Sequence, residues 1–516
     1  MLRTVIVSAI ASMFALNAPF VFAQNQVVKT DQSIAQSKAA GSVKTAMAIV
    51  LHDQVSLRAA PRDSAQQHAQ LSAGEVLEVR GERLDYVQVY DHKRERAGFV
   101  KASVVKRLRL TAEDAPELLS VLRFVRDTPG SEALGIGYAA AFIKAAPATL
   151  LNGPAGIEVF DALGTMADRL AWRASSVNPQ NKLLENAVAA HLEVARSYGV
   201  GFTSFERDDR VQICYDGDAL RRVLALAATN EQKARAALAV TKRDCIDPNL
   251  RPNERAKVDA WRNDVLNQIQ LANVPDYLKN RVQMRRASVQ SVLAFSNARA
   301  GQESASLAAA SLNELSAIAR SDLTDDDQST YADSAMRVGA SRWAASINAA
   351  PILKNGLTLQ SEPGQPGETC VSLLDAKRTL LIKKCTYGIA WLASAASNAS
   401  GSAIALAVQP LDAWREMWML RKTNEGWVAD VLPPSATSPA MNSQDVGYVE
   451  FAGFTPDGNQ VLVAREAKLQ GKYKKSFEVL AVDTLNSVKQ ASDPSLLAAF
   501  QKWQDVSWKR ATVSLR

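Results

Sequence analysis

Histidine is nearly missing from this chain. Four occur in 516 residues, at positions 52, 68, 92 and 191. Imidazole is the side chain best matched to proton transfer near neutral pH, so acid–base chemistry built on it has little material here. Cysteine is as scarce, with four residues, and all of them follow His191. That order excludes a cysteine peptidase whose histidine lies downstream of its nucleophile. There is no Cys-x-x-Cys pair, no His-x-x-x-His zinc pair, no Gly-x-Ser-x-Gly elbow and no phosphate-binding glycine loop. No metal or cofactor is therefore expected. No later stretch reaches the ~18 uninterrupted apolar residues of a membrane helix. The nearest, Leu134 to Leu151, contains Lys144 and Pro147. Paired carboxylates are the chemistry these absences leave open, because such pairs form in space and not in sequence.

What is present points first to a compartment. Met1 to Ala23 has the pattern of a secretory signal. Arg3 supplies a positive start, Val5 to Leu16 an apolar segment, and Val21-Phe22-Ala23 a small-residue cleavage site. An exported, periplasmic chain cleaved after Ala23 is the expectation. The formal charge is +7. Removing Arg3 with the signal, which holds no acid, leaves 7 − 1 = +6. Spread over so long a chain, this permits loose attraction to anionic envelope polymers and does not indicate nucleic-acid binding.

An even cysteine count in an exported chain suggests two disulfides. Asp216 to Ala227 and Asn230 to Lys242 read as two short helices forming an antiparallel hairpin. Cys214 precedes the first and Cys245 follows the second, so the hairpin brings them together. Cys370 and Cys385 flank a β-hairpin centred between Lys377 and Arg378 and are equidistant from that centre. They are expected to face each other across the strands.

The chain divides by composition and period. Residues 24–44 are polar and aperiodic and read as a disordered linker. Residues 45–108 alternate, as in Tyr86-Val87-Gln88-Val89-Tyr90, with glycine turns at 74, 81 and 98. Residues 111–350 follow a helical period, with Phe160, Leu163, Met166 and Leu170 on one face and Val282, Val289 and Val292 on another. No fixed repeat supports a tetratricopeptide array, so an all-α irregular solenoid or bundle is expected. Asp325-Asp326-Asp327 has the wrong spacing for an EF-hand and reads as acids at a helix N-terminus. Residues 351–516 hold six of nine tryptophans beyond position 390. Strand-like runs at 403–408, 427–432, 461–464 and 477–482 make this an antiparallel β domain. A short helix at 494–503 and a closing strand at 511–515 follow. Gly447 to Asp483, with its Pro456-Asp457-Gly458 turn, resembles one β-propeller blade, although 140 residues offer room for only about three blades.

Leu57-Arg58-Ala59-Ala60-Pro61, Ala73-Gly74-Glu75-Val76, Asp85-Tyr86-Val87-Gln88-Val89 and Gly98-Phe99-Val100 fall in the order found in a bacterial SH3-like domain. The segment 45–108 resembles that family, with Tyr86 and Phe99 where tryptophans are usual. The resemblance implies a small all-β barrel that binds cell-wall peptide, glycan or protein. Arg58, Tyr86, Tyr90 and Phe99 are the candidate ligand-binding surface. The loop His92 to Arg96 and the lysines at 472, 474 and 475 read as solvated charge. SH3-like modules often accompany cell-wall hydrolases. Gln302-Glu303-Ser304 begins like a lytic transglycosylase motif but lacks the glycine turn. The expectation is a non-enzymatic binding or scaffold protein whose partner is an envelope polymer or a periplasmic protein. The alternative is a peptidoglycan hydrolase using an unrecognised carboxylate pair.

Overall fold

The structure is a computed structural model that describes residues 46–178, 180–207, 210–346, 351–435, 445–505 and Trp508. The expected signal at 1–23, the linker at 24–44 and the closing strand at 511–515 lie outside the described residues.

Seven strands open the described chain: β1 (Met47–Val50), β2 (Val55–Arg58), β3 (Gln67–Leu71), β4 (Val76–Arg83), β5 (Tyr86–Asp91), β6 (Arg96–Lys101) and β7 (Val105–Leu108). Alternation along β5 buries Val87 and Val89 against Leu57, Leu71, Leu77 and Val100. Each such side chain contributes about 1.5–3 kcal/mol. The antiparallel order is β3-β2-β6-β5-β4-β1-β7. Among the described residues no pairing joins β3 to β7, so the sheet is an open path and not the closed barrel expected. β7 instead passes at Leu108 into the helical region.

That region holds α1 (Ala115–Val125), α2 (Glu132–Ala145), α3 (Ala148–Leu151), α4 (Pro154–Ser176) and α5 (Lys182–Ser197). A hairpin follows, β8 (Phe202–Arg207) and β9 (Arg210–Tyr215). The region is therefore not all-α. The β-favouring residues Val211 and Ile213 alternate, but Phe202 and Phe205 are three apart, so the pattern does not stand out in sequence. Six further helices complete it: α6 (Asp218–Ala225), α7 (Asn230–Val240), α8 (Pro252–Asn267), α9 (Asp276–Arg299), α10 (Ala305–Ser316) and α11 (Asp325–Ser341). Thr229 and Gln232 form a reciprocal capping box that starts α7. Cys214, in β9, is bonded to Cys245 beyond α7. The expected face of α4 is inward, with Phe160, Met166 and Leu170 buried. None of the described helices is long and apolar enough to cross a membrane.

The C-terminal region is an antiparallel-rich sheet domain. β10 (Thr358–Pro363), β11 (Thr369–Leu374) and β12 (Leu380–Thr386) form a three-stranded sheet. Cys370 pairs with Cys385 across β11 and β12, and the two are disulfide-bonded. Two four-strand meanders follow. One is β13 (Ile389–Ser397), β14 (Ala403–Leu411), β15 (Trp414–Thr423) and β16 (Gly426–Leu432). The other is β17 (Val446–Phe454), β18 (Gln460–Leu469), β19 (Lys472–Ala481) and β20 (Ser487–Ala491). A short parallel pairing of β15 with β17 joins them into one eight-stranded sheet. The expected terminal helix is shorter than its sequence pattern, a 3-10 turn at Pro494–Leu496 followed by α12 (Ala498–Trp503).

Helix α11 lies against this sheet. Gly339 lets it approach closely, since a Cβ there would come within 2.8 Å of the buried Tyr448 ring. Arg415 donates to the Gly339 carbonyl at 2.6 Å, placing a cation on the C-terminal end of the helix. A turn at Gly74 clamps the N-terminal sheet to the helical region. Gly74 has φ +87°, and a Cβ there would sit 2.4 Å from the Ala133 carbonyl oxygen. Its own carbonyl accepts from the Tyr198 hydroxyl at 2.6 Å. Beside it the Asp53 carboxylate accepts from the Ala73 amide at 2.9 Å and meets the buried His191 ring at 2.9 Å. Gly74→Ala forces both a strained backbone and a clash. The substitution is expected to lower unfolding free energy by about 2 kcal/mol or more, read from urea denaturation. An unchanged midpoint would show that the turn is not a fixed clamp.

Candidate anion-binding site

The four residues expected to bind a ligand lie on one side of the N-terminal sheet. Arg58 pairs with Phe99, Phe99 with Gln88, and Tyr86 with Lys101. Residues paired directly in an antiparallel ladder share a face, and Tyr90 lies on it too, two and four residues along from Gln88 and Tyr86. Val87 and Val89 occupy the opposite, buried face. Three of the four are engaged within the module. Arg58 donates to the Ala65 carbonyl at 3.0 Å. The Tyr86 hydroxyl donates to Asp63 at 2.7 Å, and that carboxylate holds the phenol pKa above its ordinary value. The Arg80 guanidinium covers the Tyr90 ring at 4.0 Å. Phe99 is half-buried. Glu303 is exposed, and its carboxylate accepts from the Ser306 amide at 2.9 Å and hydroxyl at 2.6 Å. It caps the start of α10. The acids at the start of α11 behave as expected of a helix N-terminus, and Asp327 also receives Arg281 at 2.8 Å.

A large concavity lies elsewhere, inside the helical region. It is a cavity of about 640 Å³ among α4, α6, α7, α9, α11 and the turn after α7. Its size suits a small molecule. Two parallel helices build its main wall. Arg281 to Asp327 and Ser288 to Ser334 are both joined by hydrogen bonds at a separation of 46 residues. That constant offset means that α9 and α11 run in the same direction side by side. Arg281, Arg285, Ser288 and Val292 recur along α9 at helical spacing, and Asp327, Thr330, Ser334 and Arg337 along α11, so both stripes face the cavity. The disulfide at Cys245 anchors the turn that brings Lys242, Arg243 and Asp244 to it.

Most charges at this cavity are matched. Arg235 bonds Asp161 at 2.9 Å. Lys242 meets both oxygens of Asp168 at 2.6 Å. The buried Arg262 bonds Asp259 at 2.6 Å. Asp333 is held by Lys468 at 2.8 Å and by the Tyr473 hydroxyl at 2.5 Å. Asp244 lies 3.7 Å from Arg207, and Asp326 is exposed at the rim.

Three arginines break the pattern. Arg243 comes no closer than 4.0 Å to Asp412. Arg285 donates only to backbone, to the Thr241 carbonyl at 2.6 Å and the Leu238 carbonyl at 3.3 Å. Arg337 is 5 % exposed, and its Nη1 is buried with no hydrogen-bond partner. No ion pair reaches it, and Asp412 and Asp333 act on it only from longer range. Burial first, then the charge of Arg243, pushes Arg337 down to about 9. Burial likewise pushes Arg285 below its ordinary value. Arg262 is pushed down to about 10 by burial, with Arg285 adding to the push against Asp259. All three remain protonated at neutral pH. The guanidiniums therefore crowd one another at the cavity, and among the described residues neither Arg285 nor Arg337 is bonded to a carboxylate.

No family model, curated protein or solved structure matches this chain. The site must therefore be judged on its own chemistry. Guanidinium N–H groups arranged as forks are the protein's best donors to carboxylate and phosphate. The hydroxyls of Thr165, Ser288, Thr330 and Ser334 line the same space. Motif reading missed these groups because their convergence is spatial. One signal was legible, since Arg337 is the sole charge in the apolar run Ala335-Met336-Arg337-Val338-Gly339.

Below about pH 9 both the folded and the unfolded chain carry the Arg337 proton, so the empty fold bears the whole penalty of burying it. Arg337→Met keeps the volume and removes the charge. It is expected to stabilise the unliganded protein by about 1–4 kcal/mol at neutral pH, measured by urea denaturation in anion-free buffer. A destabilised variant would mean that Arg337 has a structural counter-charge.

Proposed function

We propose that the protein is a non-enzymatic binding protein that holds a small anion in the cavity between α9 and α11. The observation that carries this is Arg337, a buried guanidinium with neither an ion pair nor a hydrogen-bonding partner among the described residues, facing a cavity large enough for a ligand. A bound anion supplies the missing charge, and Arg285 and Arg243 converge on the same space. The two disulfides support the reading of an exported, periplasmic chain, because such bonds persist in oxidising compartments. Calorimetric titration of the full chain with inorganic phosphate tests the site. One equivalent is expected to bind, with at least about a tenfold loss of affinity in Arg337→Met. Equal affinity in the variant would place the anion elsewhere.

A second surface is favoured by one observation. Arg58, Tyr90 and Phe99 are partly exposed on the side of the N-terminal sheet that faces away from its core, while Tyr86 shares that side but is buried. This supports the SH3-like reading, in which that face engages a cell-envelope polymer or a periplasmic protein. Retention of the full chain on peptidoglycan sacculi is expected to fall several-fold in a Tyr90→Ala, Phe99→Ala double variant. Undiminished retention would remove this face from the function.

A further inference from the structure

The cavity's chemistry narrows its ligand, given the anion-binding reading above. Two guanidinium charges, those of Arg285 and Arg337, have no carboxylate partner. Arg243 is shared at 4.0 Å with Asp412. Neutralising the pair takes a charge of −2. The two residues occupy neighbouring helices. The parallel offset of 46 places Arg285 level with Tyr331, six residues before Arg337, about 9 Å along the axis at 1.5 Å per residue. The hydrogen-bonded hydroxyls of Ser288 and Ser334 lie at a level between them. A compact head with several acceptor oxygens fits this set of donors.

The head accounts for little of the space. A cavity of about 640 Å³ is many times the ~30 Å³ share of one water. Leu220, Leu238, Leu278 and Met284 also line it, and their side chains offer a ligand apolar contact and no hydrogen bond.

We infer that the ligand is a phosphomonoester dianion carrying an apolar group, its head held by Arg285 and Arg337 and its body against Leu220, Leu238, Leu278 and Met284. The ligand's own ionisation then controls binding, since the second phosphate proton leaves near pH 6. The acidic groups facing the two arginines are engaged by other cations. Asp168 is paired with Lys242, Asp333 with Lys468 and Asp244 with Arg207. Arg243 and Arg337 keep the Asp412 carboxyl below its ordinary value against the effect of burial. Arg243 and Arg255 are the other cations acting on Arg337, and Arg262 lies beside Arg285. None of the four histidines lines the cavity.

Calorimetry on the full chain with phenyl phosphate, inorganic phosphate and phenyl sulfate tests each part. Phenyl phosphate is expected to bind about tenfold tighter than inorganic phosphate at about pH 7.5, and about tenfold weaker at about pH 5. Phenyl sulfate, a monoanion throughout, is expected to bind weakly and without that pH dependence. Arg285→Met and Arg337→Met should each remove most of the phenyl phosphate affinity, and Arg337→Lys should restore part of it. Phenyl sulfate binding as tightly as phenyl phosphate would overturn the dianion. Inorganic phosphate binding as tightly would overturn the apolar body while leaving the anion site intact. Binding of none of the three would overturn both this inference and the anion-binding reading.

Discussion

A guanidinium taken out of water needs an anion, and that requirement organises the interior of this protein. Moving an ion into a low-dielectric interior costs several kcal/mol even after relaxation. The structure meets the cost repeatedly with a carboxylate on a neighbouring element. Arg342 bonds both oxygens of the buried Glu450, at 2.7 and 2.9 Å, and Arg415 shares the same carboxylate. Arg262 has Asp259, and Arg281 has Asp327. Arg337 is the exception, only five residues before Arg342 in sequence. The contrast is internal to one segment of chain, so it does not reflect a general tolerance of buried charge.

Helix α11 connects this position to the rest of the molecule. Its cavity side carries Asp327, Thr330, Ser334 and Arg337. Its other side meets the C-terminal sheet through Gly339 and Tyr448. Lys468 and Tyr473, from that sheet, hold Asp333. The helix is thus fixed from both sides, and a fixed helix keeps Arg337 from swinging to solvent. The opposite rim is fixed covalently, because Cys214–Cys245 ties the Lys242 to Asp244 turn to β9. Preorganisation of this kind lowers the entropy that binding must overcome.

Some of this was legible in the chain. Cysteine spacing identified both disulfides, since a hairpin of either kind places residues equidistant from its centre side by side. Alternation at Tyr86–Tyr90 and the helical period at Phe160–Leu170 identified strand and helix, because each pattern is long enough to repeat. The hairpin at Phe202–Tyr215 escaped notice, as Phe202 and Phe205 in its first arm are three residues apart and do not alternate. Glu303 drew attention through its neighbours, yet its carboxylate serves the backbone of α10. The open edges of the N-terminal sheet were also not readable, since local alternation is the same in an open sheet and a closed barrel.

The sequence by itself determined the strand and helix patterns, the cysteine pairs and the scarcity of imidazole. These are local properties, set by side-chain period and by residue count. Only the tertiary structure decided which charges are matched. Asp259 stands three residues from Arg262, but Asp327 is 46 from Arg281 and Glu450 is 108 from Arg342. Pairing over such separations depends on which elements pack together, and so does the lack of a partner at Arg337. Coulomb energy follows distance in space, so the missing partner of Arg337 became visible only once the helices were in place.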